Sequence, residues 1–363
     1  MKVYAVLRGF PGLGRVSSGI ALLNSMKEHG CDVKAVSYLQ GTDALSKQGI
    51  EPFANQNVSK HDIMPIGLNP IEKYASVIIE KILQDSPDLV LIDGEPLLTS
   101  TLCSVFDKNR VVSLLNPTDL VNSALPQSTI NFYHSNYLSC TNSIVHGVNL
   151  SSRQWNFPGY DCKVHCLNTI LRQEILNLKI SGSPSNIISC VLGGGTANAT
   201  ERFISSTIEI GIKVAALAQE NSEYQFNIYC NDKNIKDSLL KCIDHCENLQ
   251  IFDEYISPEQ IYSNARMVIA RAGRNVSSEL LYLGVPAILV ATKGDFRSVE
   301  QEKNINDIIA LGKGNIEKIY IDSSIDEIQN IFLSLTKNNG TGTSFIPGND
   351  DAIKILNSIV RHV

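Results

Sequence analysis

The chain has 363 residues, 43% hydrophobic and 19% charged, with a formal net charge of −6. That length suits two domains of ordinary size, each able to bury its own core. The acidic balance excludes a general nucleic-acid binder, which needs a positive footprint, and no apolar run reaches the ~18 to 20 residues of a membrane span.

Nine cysteines are scattered through the chain, an odd number in a protein too long to need stapling, so reduced thiols in a cytoplasm are expected. The sequence opens directly on a strand, and no leader segment is expected. Val3 to Leu7 is apolar and β-like. It leads through Arg8-Gly9-Phe10-Pro11-Gly12-Leu13-Gly14-Arg15 into a helix from about Ser17 to His29, then a strand from Asp32 to Tyr38. Strand, glycine loop, helix and strand together open a nucleotide-type α/β fold. The glycines at this loop suit either a closely approaching ligand or a packing turn. The spacing is not the dinucleotide fingerprint, and no acid ends the second strand.

A helix follows over about Pro70 to Gln84, then the strand Leu89 to Ile92, which ends in Asp93-Gly94-Glu95-Pro96. Two carboxylates at a strand's carboxyl end either take a proton from an acceptor hydroxyl or cap the next helix. Val111 to Leu115 is another strand. Leu125 to Tyr137, with Phe132, Tyr133, His134 and Tyr137, reads as a polar-aromatic helix, either a plain surface helix or the lining of an acceptor pocket, and Ser143 to His146 and Lys163 to Leu167 as the last strands of the first domain.

The turn-rich stretch Ser181-Gly182-Ser183-Pro184-Ser185 ends a linker. The expected division is therefore a first domain over 1–170, a linker over 171–186, a second domain over 187–340, and a connector with a terminal helix over 341–363. The second domain begins with the strand Ile187 to Leu192 and the turn Gly193-Gly194-Gly195-Thr196, which suits a diphosphate because backbone NH groups point outward there. Later come a buried strand Met267 to Ala270, the turn Arg271-Ala272-Gly273, and a short helix Ser277 to Leu283 stopped by Gly284. A strand over Pro286 to Ala291 and a helix carrying Glu300, Gln301 and Asn304 complete the block. In open α/β units ligands bind beyond the carboxyl ends of the strands, so the polar residues at these helix starts are placed to hold one. Cys162-x-x-His165-Cys166 and Cys242-x-x-His245-Cys246 share a spacing, but one falls on a strand and the other on a helix, and no metal is expected.

The Met267 to Ala310 block resembles the nucleotide-sugar site of GT-B glycosyltransferases, in particular the MurG-like, family 28 type UDP-sugar transferases. The matching residues are Arg271-Ala272-Gly273, Glu279, Gly284-Val285-Pro286, Glu300-Gln301 and Asn304. The resemblance implies two Rossmann-like α/β domains facing across a cleft, with the terminal helix crossing back to the first. It implies transfer of a sugar, with inversion, from a nucleotide-sugar donor, UDP-linked, to an acceptor that the sequence does not identify, either a lipid-linked sugar or a small molecule. Glu279 would take the ribose hydroxyls. Gly193 to Thr196 and Gly273 to Asn275 would hold the diphosphate, with Arg271 or Arg274 nearby. Tyr255 or Ile256 would cover the base, and Glu300, Gln301 and Asn304 would address the sugar, Glu300 replacing the family's first Gln. Backbone amides would stabilise the leaving diphosphate, so neither metal nor cofactor is called for.

On the acceptor side the loop with Gly12 and Gly14 carries Arg15 where the family has a His proposed as base. An arginine cannot act as one, which leaves Asp93 or Glu95. The implied location is the cytoplasm, with peripheral attachment at the inner membrane face compatible but not indicated. A nucleotide-sugar hydrolase of the same fold and a non-catalytic binding protein are the alternatives. A sugar-nucleotide epimerase ranks lower because its His and Arg/Glu motifs are missing.

Overall fold

The computed structural model describes residues 1–9, 14–54, 71–180, 185–193, 201–230, 232–254, 256–291, 296–312, 315–337 and 345–361, without the side chains of 71–74, 202–203 and 296–300. The chain forms two compact units, Met1–Gln173 with Pro347–Val363, and Glu174–Ile346.

The first unit is built on six parallel strands: β1 (Lys2–Leu7), β2 (Asp32–Val36), β3 (Leu89–Asp93), β4 (Val111–Leu115), β5 (Asn142–His146) and β6 (Lys163–Leu167), in the order β2-β1-β3-β4-β5-β6. The central strands are apolar without alternation because helices cover both faces. Val3, Ala5 and Leu7 enter one core with the helix Gly14–Glu28, while Tyr4 and Val6 enter the opposite core with the helix Ile71–Asp85. The helix Asn349–Arg361 joins the first of these cores through Ala352, Ile353, Leu356 and Ile359, a stripe at helical spacing. Its start is tied to 168–171: Asn349 Nδ2 donates to Leu171 O and Leu171 N donates to Asn349 Oδ1, both at 2.9 Å.

The second unit also holds six parallel strands: β7 (Ile187–Val191), β8 (Gln225–Tyr229), β9 (Leu249–Phe252), β10 (Ala265–Arg271), β11 (Ala287–Ala291) and β12 (Ile316–Tyr320), in the order β12-β11-β10-β7-β8-β9. Helices Glu201–Glu220 and Ile325–Leu335 close one face through Ile210, Val214, Leu217, Ile328 and Phe332. The expected pair of α/β units is thus observed.

Three local differences from the sequence reading have physical causes. Gly273 takes the N-cap of the helix Arg274–Leu283, so that helix begins three residues earlier than Ser277 and draws Arg274 and Asn275 into its first turn. The helix expected over Ile235 to Cys246 runs Lys233–Cys242, started by Asp232, whose carboxylate accepts from the Asn234 and Ile235 amides. The stretch before the second unit, read as linker, contains the short helix Gln173–Leu176, anchored by the buried Ile175.

In each sheet the strand order reverses once, between β1 and β3 in the first unit and between β7 and β10 in the second. Such reversal points open a crevice at the carboxyl ends, where ligands of open α/β sheets bind.

Candidate functional site

The first unit's reversal point collects Arg8, Arg15, Asp93, Gly94 and Glu95. Leu7 and Asp93 are register partners on β1 and β3, and the Arg8 amide donates to Asp93 O at 3.0 Å. Arg15 arrives from the helix Gly14–Glu28. That helix approaches β1 closely because Gly19 lies against Leu7, where a Cβ would come within 2.4 Å of the Leu7 side chain. Gly94 has φ +82°, and a Cβ there would meet Arg8 Cδ at 2.8 Å and Arg15 Cδ at 2.9 Å. A glycine is required on both counts.

Arg15 is the hub. Its Nη1 donates to Asp93 Oδ1 at 2.6 Å, and its Nη2 to Asp119 Oδ1 and Oδ2 at 2.6 and 2.7 Å. Burial opposes the charge on Arg15, yet Asp119 and Asp93 outweigh it and raise the guanidinium pKa well above its ordinary value. Arg8 Nη1 donates to Gly94 O at 3.2 Å. Burial opposes its charge too, and Tyr38 and Glu95 more than compensate.

Asp93 is 1% exposed and Glu95 4% exposed, so both proposed bases are closed off from bulk water. Glu95 occupies the N-cap of the helix Pro96–Val105 without capping it through its side chain. Its carboxylate instead accepts from Tyr38 OH at 2.7 Å. Of the alternatives for these two acids, helix capping by Glu95 is therefore ruled out.

Asp119 and Tyr38 are members of this cluster that the sequence reading missed, and Tyr137, from the polar-aromatic helix, is a third member. Asp119 did leave a signal: Asn116-Pro117-Thr118-Asp119 has the residue types of a capped helix start, and the Asn116 amide donates to Asp119 Oδ2 at 2.7 Å. Tyr137 left only its place in the polar-aromatic stretch, and its fully buried side chain is set by how the helix Gln127–Tyr137 docks. Burial and Asp119 push its phenol well above the ordinary tyrosine value, while Arg15 and Arg8 pull the other way.

In the second unit Gly193 follows β7 and Gly273 follows β10, the two strands flanking the reversal. Gly193 has φ +82°, and at either glycine a Cβ would meet nothing within 4 Å among the described residues. Arg271 ends β10 and turns to the helix Glu201–Glu220, donating to Thr207 Oγ1 and, at 3.3 Å, to Ser206 Oγ. Arg274 stands in the first turn of its helix, with Nε 3.3 Å from Asn275 Oδ1. Glu279 lies on the same helix, 1% exposed, and its Oε2 accepts from Tyr262 OH at 3.1 Å. Gln301 and Asn304, both 8% exposed, share the helix Phe296–Gly312, which packs on the helix Arg274–Leu283.

Gly12, Gly194, Gly195, Thr196, Tyr255 and the Glu300 side chain lie outside the described residues. Ile256 is half-buried in the stretch between β9 and the helix Pro258–Tyr262, and Gly14 is exposed at the start of its helix. Among the described residues no three His, Cys, Asp or Glu side chains form a metal-binding group.

Comparison with known proteins gives this geometry a context. Residues 190–340 match the family model described as the glycosyltransferase family 28 C-terminal domain. A curated relative from Legionella pneumophila (strain Lens), a UDP-N-acetylglucosamine--N-acetylmuramyl-(pentapeptide) pyrophosphoryl-undecaprenol N-acetylglucosamine transferase, is 24% identical over 329 residues, 86% of this chain and 83% of the relative. Among solved structures, MurG of Acinetobacter baumannii aligns with a TM-score of 0.55 at 15% identity, covering 100% of this chain and 96% of that one. A UDP-GlcNAc 2-epimerase from Neisseria meningitidis, bound to UDP-GlcNAc, aligns with a TM-score of 0.65 at 14% identity, covering 99% and 100%. At such identities the structures speak to the fold, which transferases and epimerases share. The sequence matches point to the transferases. Residues 190–340 thus correspond to a glycosyltransferase family 28 C-terminal domain, and the chain is similar along most of its length to the MurG-type transferases.

Proposed function

We propose that the second unit binds a UDP-linked sugar, of the UDP-N-acetylglucosamine kind, and that the sugar passes with inversion to an acceptor hydroxyl held by the first unit. One observation carries this reading. Two glycines with open space around them flank the strand-order reversal inside the family 28 domain, and the buried carboxylate of Glu279 stands on the helix that leaves one of them. The diphosphate would lie against the Gly193 turn and the first turn of the helix Arg274–Leu283, where the leading amides carry positive partial charge. Arg274 stands in that first turn and is the arginine we place against it, while Arg271 donates to Thr207 and Ser206. Glu279, steadied by Tyr262, would accept the ribose hydroxyls. Gln301 and Asn304, with Glu300, would address the sugar.

On the acceptor side, Asp93 or Glu95 would take the proton. Both bases are now tied to a partner, Asp93 to Arg15 and Glu95 to Tyr38. The reaction would run on the cytoplasmic side. Among the described residues no helix is long and apolar enough to cross a membrane.

The test is a thermal-shift series with UDP, UDP-N-acetylglucosamine and dTDP on wild type and Glu279→Gln. At a hundred times its dissociation constant a ligand adds ~2.7 kcal/mol. A UDP-dependent rise that Glu279→Gln abolishes is expected. Silence from every nucleotide would overturn the donor site. Incubation of UDP-N-acetylglucosamine without acceptor, followed by NMR, separates the rivals: free sugar would mean a hydrolase, and an inverted C2 an epimerase.

A further inference from the structure

From the charge accounting at the first unit's strand edge we infer that the acceptor group seated there is an uncharged hydroxyl compound and not a phosphate or pyrophosphate. The inference rests on the transferase reading and sharpens its acceptor. Among the described residues two guanidiniums stand at this edge, Arg8 and Arg15, and three carboxylates face them, Asp93, Glu95 and Asp119. Arg15 is already bonded to two of the acids, on both of its terminal nitrogens. Arg8 is turned to the Gly94 carbonyl and balanced by Glu95.

A phosphate entering here would meet more negative than positive charge and would have to break ion pairs already formed at low exposure. The curated relatives are named for a pyrophosphoryl-undecaprenol acceptor, so this chain would differ from them in the acceptor it takes.

A second observation points to what does fit. The Tyr137 hydroxyl is fully buried and has no hydrogen-bond partner among the described residues. It stands where Asp119, Arg15, Arg8 and Glu95 all act on it electrostatically. A buried hydroxyl without a partner is costly. A neutral hydroxyl that bonds Tyr137 and an acid edge would relieve that cost without disturbing the ion pairs. Tyr133, stacked on Tyr137 with ring centroids 5.8 Å apart, extends the same aromatic wall.

The experiment is calorimetric titration of inorganic pyrophosphate into full-length protein saturated with UDP, so that the second unit's diphosphate site is occupied. Wild type is expected to show no further pyrophosphate site. Asp119→Asn, which keeps the shape and frees one side of Arg15, is expected to gain one, tightening pyrophosphate binding at least tenfold. The inference is overturned if UDP-saturated wild type binds pyrophosphate and Arg15→Gln loses it, or if Asp119→Asn folds and gains nothing. Should the variants fail to fold, the wild-type titration still decides. Should UDP itself not bind, the donor reading fails separately, and pyrophosphate titrated alone still reports on the first unit.

Discussion

The two strand-order reversals are built from the same parts and finished in opposite ways. In the first unit the protein's own side chains are bonded to one another at the crevice. Gly94 is hemmed in by two arginine side chains, and Arg15 spends its donors on Asp93 and Asp119. In the second unit a Cβ at Gly193 or Gly273 would meet nothing within 4 Å among the described residues, and Gly273 is the N-cap of the helix Arg274–Leu283. A glycine can therefore mean two different things at one topological position. At Gly94 it makes room for side chains of the chain itself; at Gly273 it leaves room for something else. On the proposed reading the first edge selects its acceptor through ion pairs already formed, and the second leaves contacts for the donor to supply.

Breaking the hub should produce the largest effect. Arg15→Ala strands Asp93 and Asp119 at low exposure, and removing one partner of a buried ion pair costs about 3–5 kcal/mol. Denaturant unfolding should show that loss, while the UDP-induced stabilisation of the second unit survives. Loss of both would mean that the units do not behave independently. Leu356→Ala should cost about 2–5 kcal/mol by the same assay, because this side chain of the returning helix is fully buried in the first unit's core.

The glycines give the sharpest contrast. Gly94→Ala forces a side chain into φ +82° and against two arginines, at a cost of about 1–3 kcal/mol from the backbone alone. Gly273 has φ −84° and nothing near it, so Gly273→Ala should stay within about 1 kcal/mol of wild type in stability. It should instead weaken UDP on the order of tenfold, ~1.4 kcal/mol, by standing where the ligand comes closest. Equal destabilisation by the two substitutions would erase the distinction drawn between the edges.

How much of this was readable beforehand follows the same division. The strands were legible because buried parallel strands are continuous apolar runs, and the second-unit block was legible because its spacing is local: turn, helix, Gly284 stop, strand. The helix start at Arg274 was misplaced because an N-cap glycine has no side chain to announce it. The first edge was only half legible. Asp93 and Glu95 stood out as acids at a strand end, but their partners lie far off in sequence, Arg15 at 78 residues from Asp93 and Tyr38 at 57 from Glu95. No spacing rule reaches across such distances, and the fate of a carboxylate depends on what folds against it. Tyr137 shows the limit most plainly, since a tyrosine in a helix carries no mark of whether its hydroxyl ends in water or beside an ion-pair hub.

The smallest effect concerns pH and falls on the first unit alone. His165 lies on β6 with Nε2 3.1 Å from Asn142 Oδ1, and burial, aided by Lys163, lowers its pKa below the ordinary histidine value of 6.5. The unfolded chain therefore takes up a proton that the folded chain refuses. Above about pH 7 both states are neutral at this residue and it contributes nothing to the pH dependence. As pH falls through the ordinary histidine range toward the lowered folded value, stability drops; below that value both states are protonated and the loss stops growing. His165→Gln keeps a polar group facing Asn142 and removes the titration, so the melting temperature of the variant should fall less than that of wild type between pH 7 and pH 5. Matching slopes would show that the imidazole sheds its burial on protonation, by turning outward from the edge of the sheet.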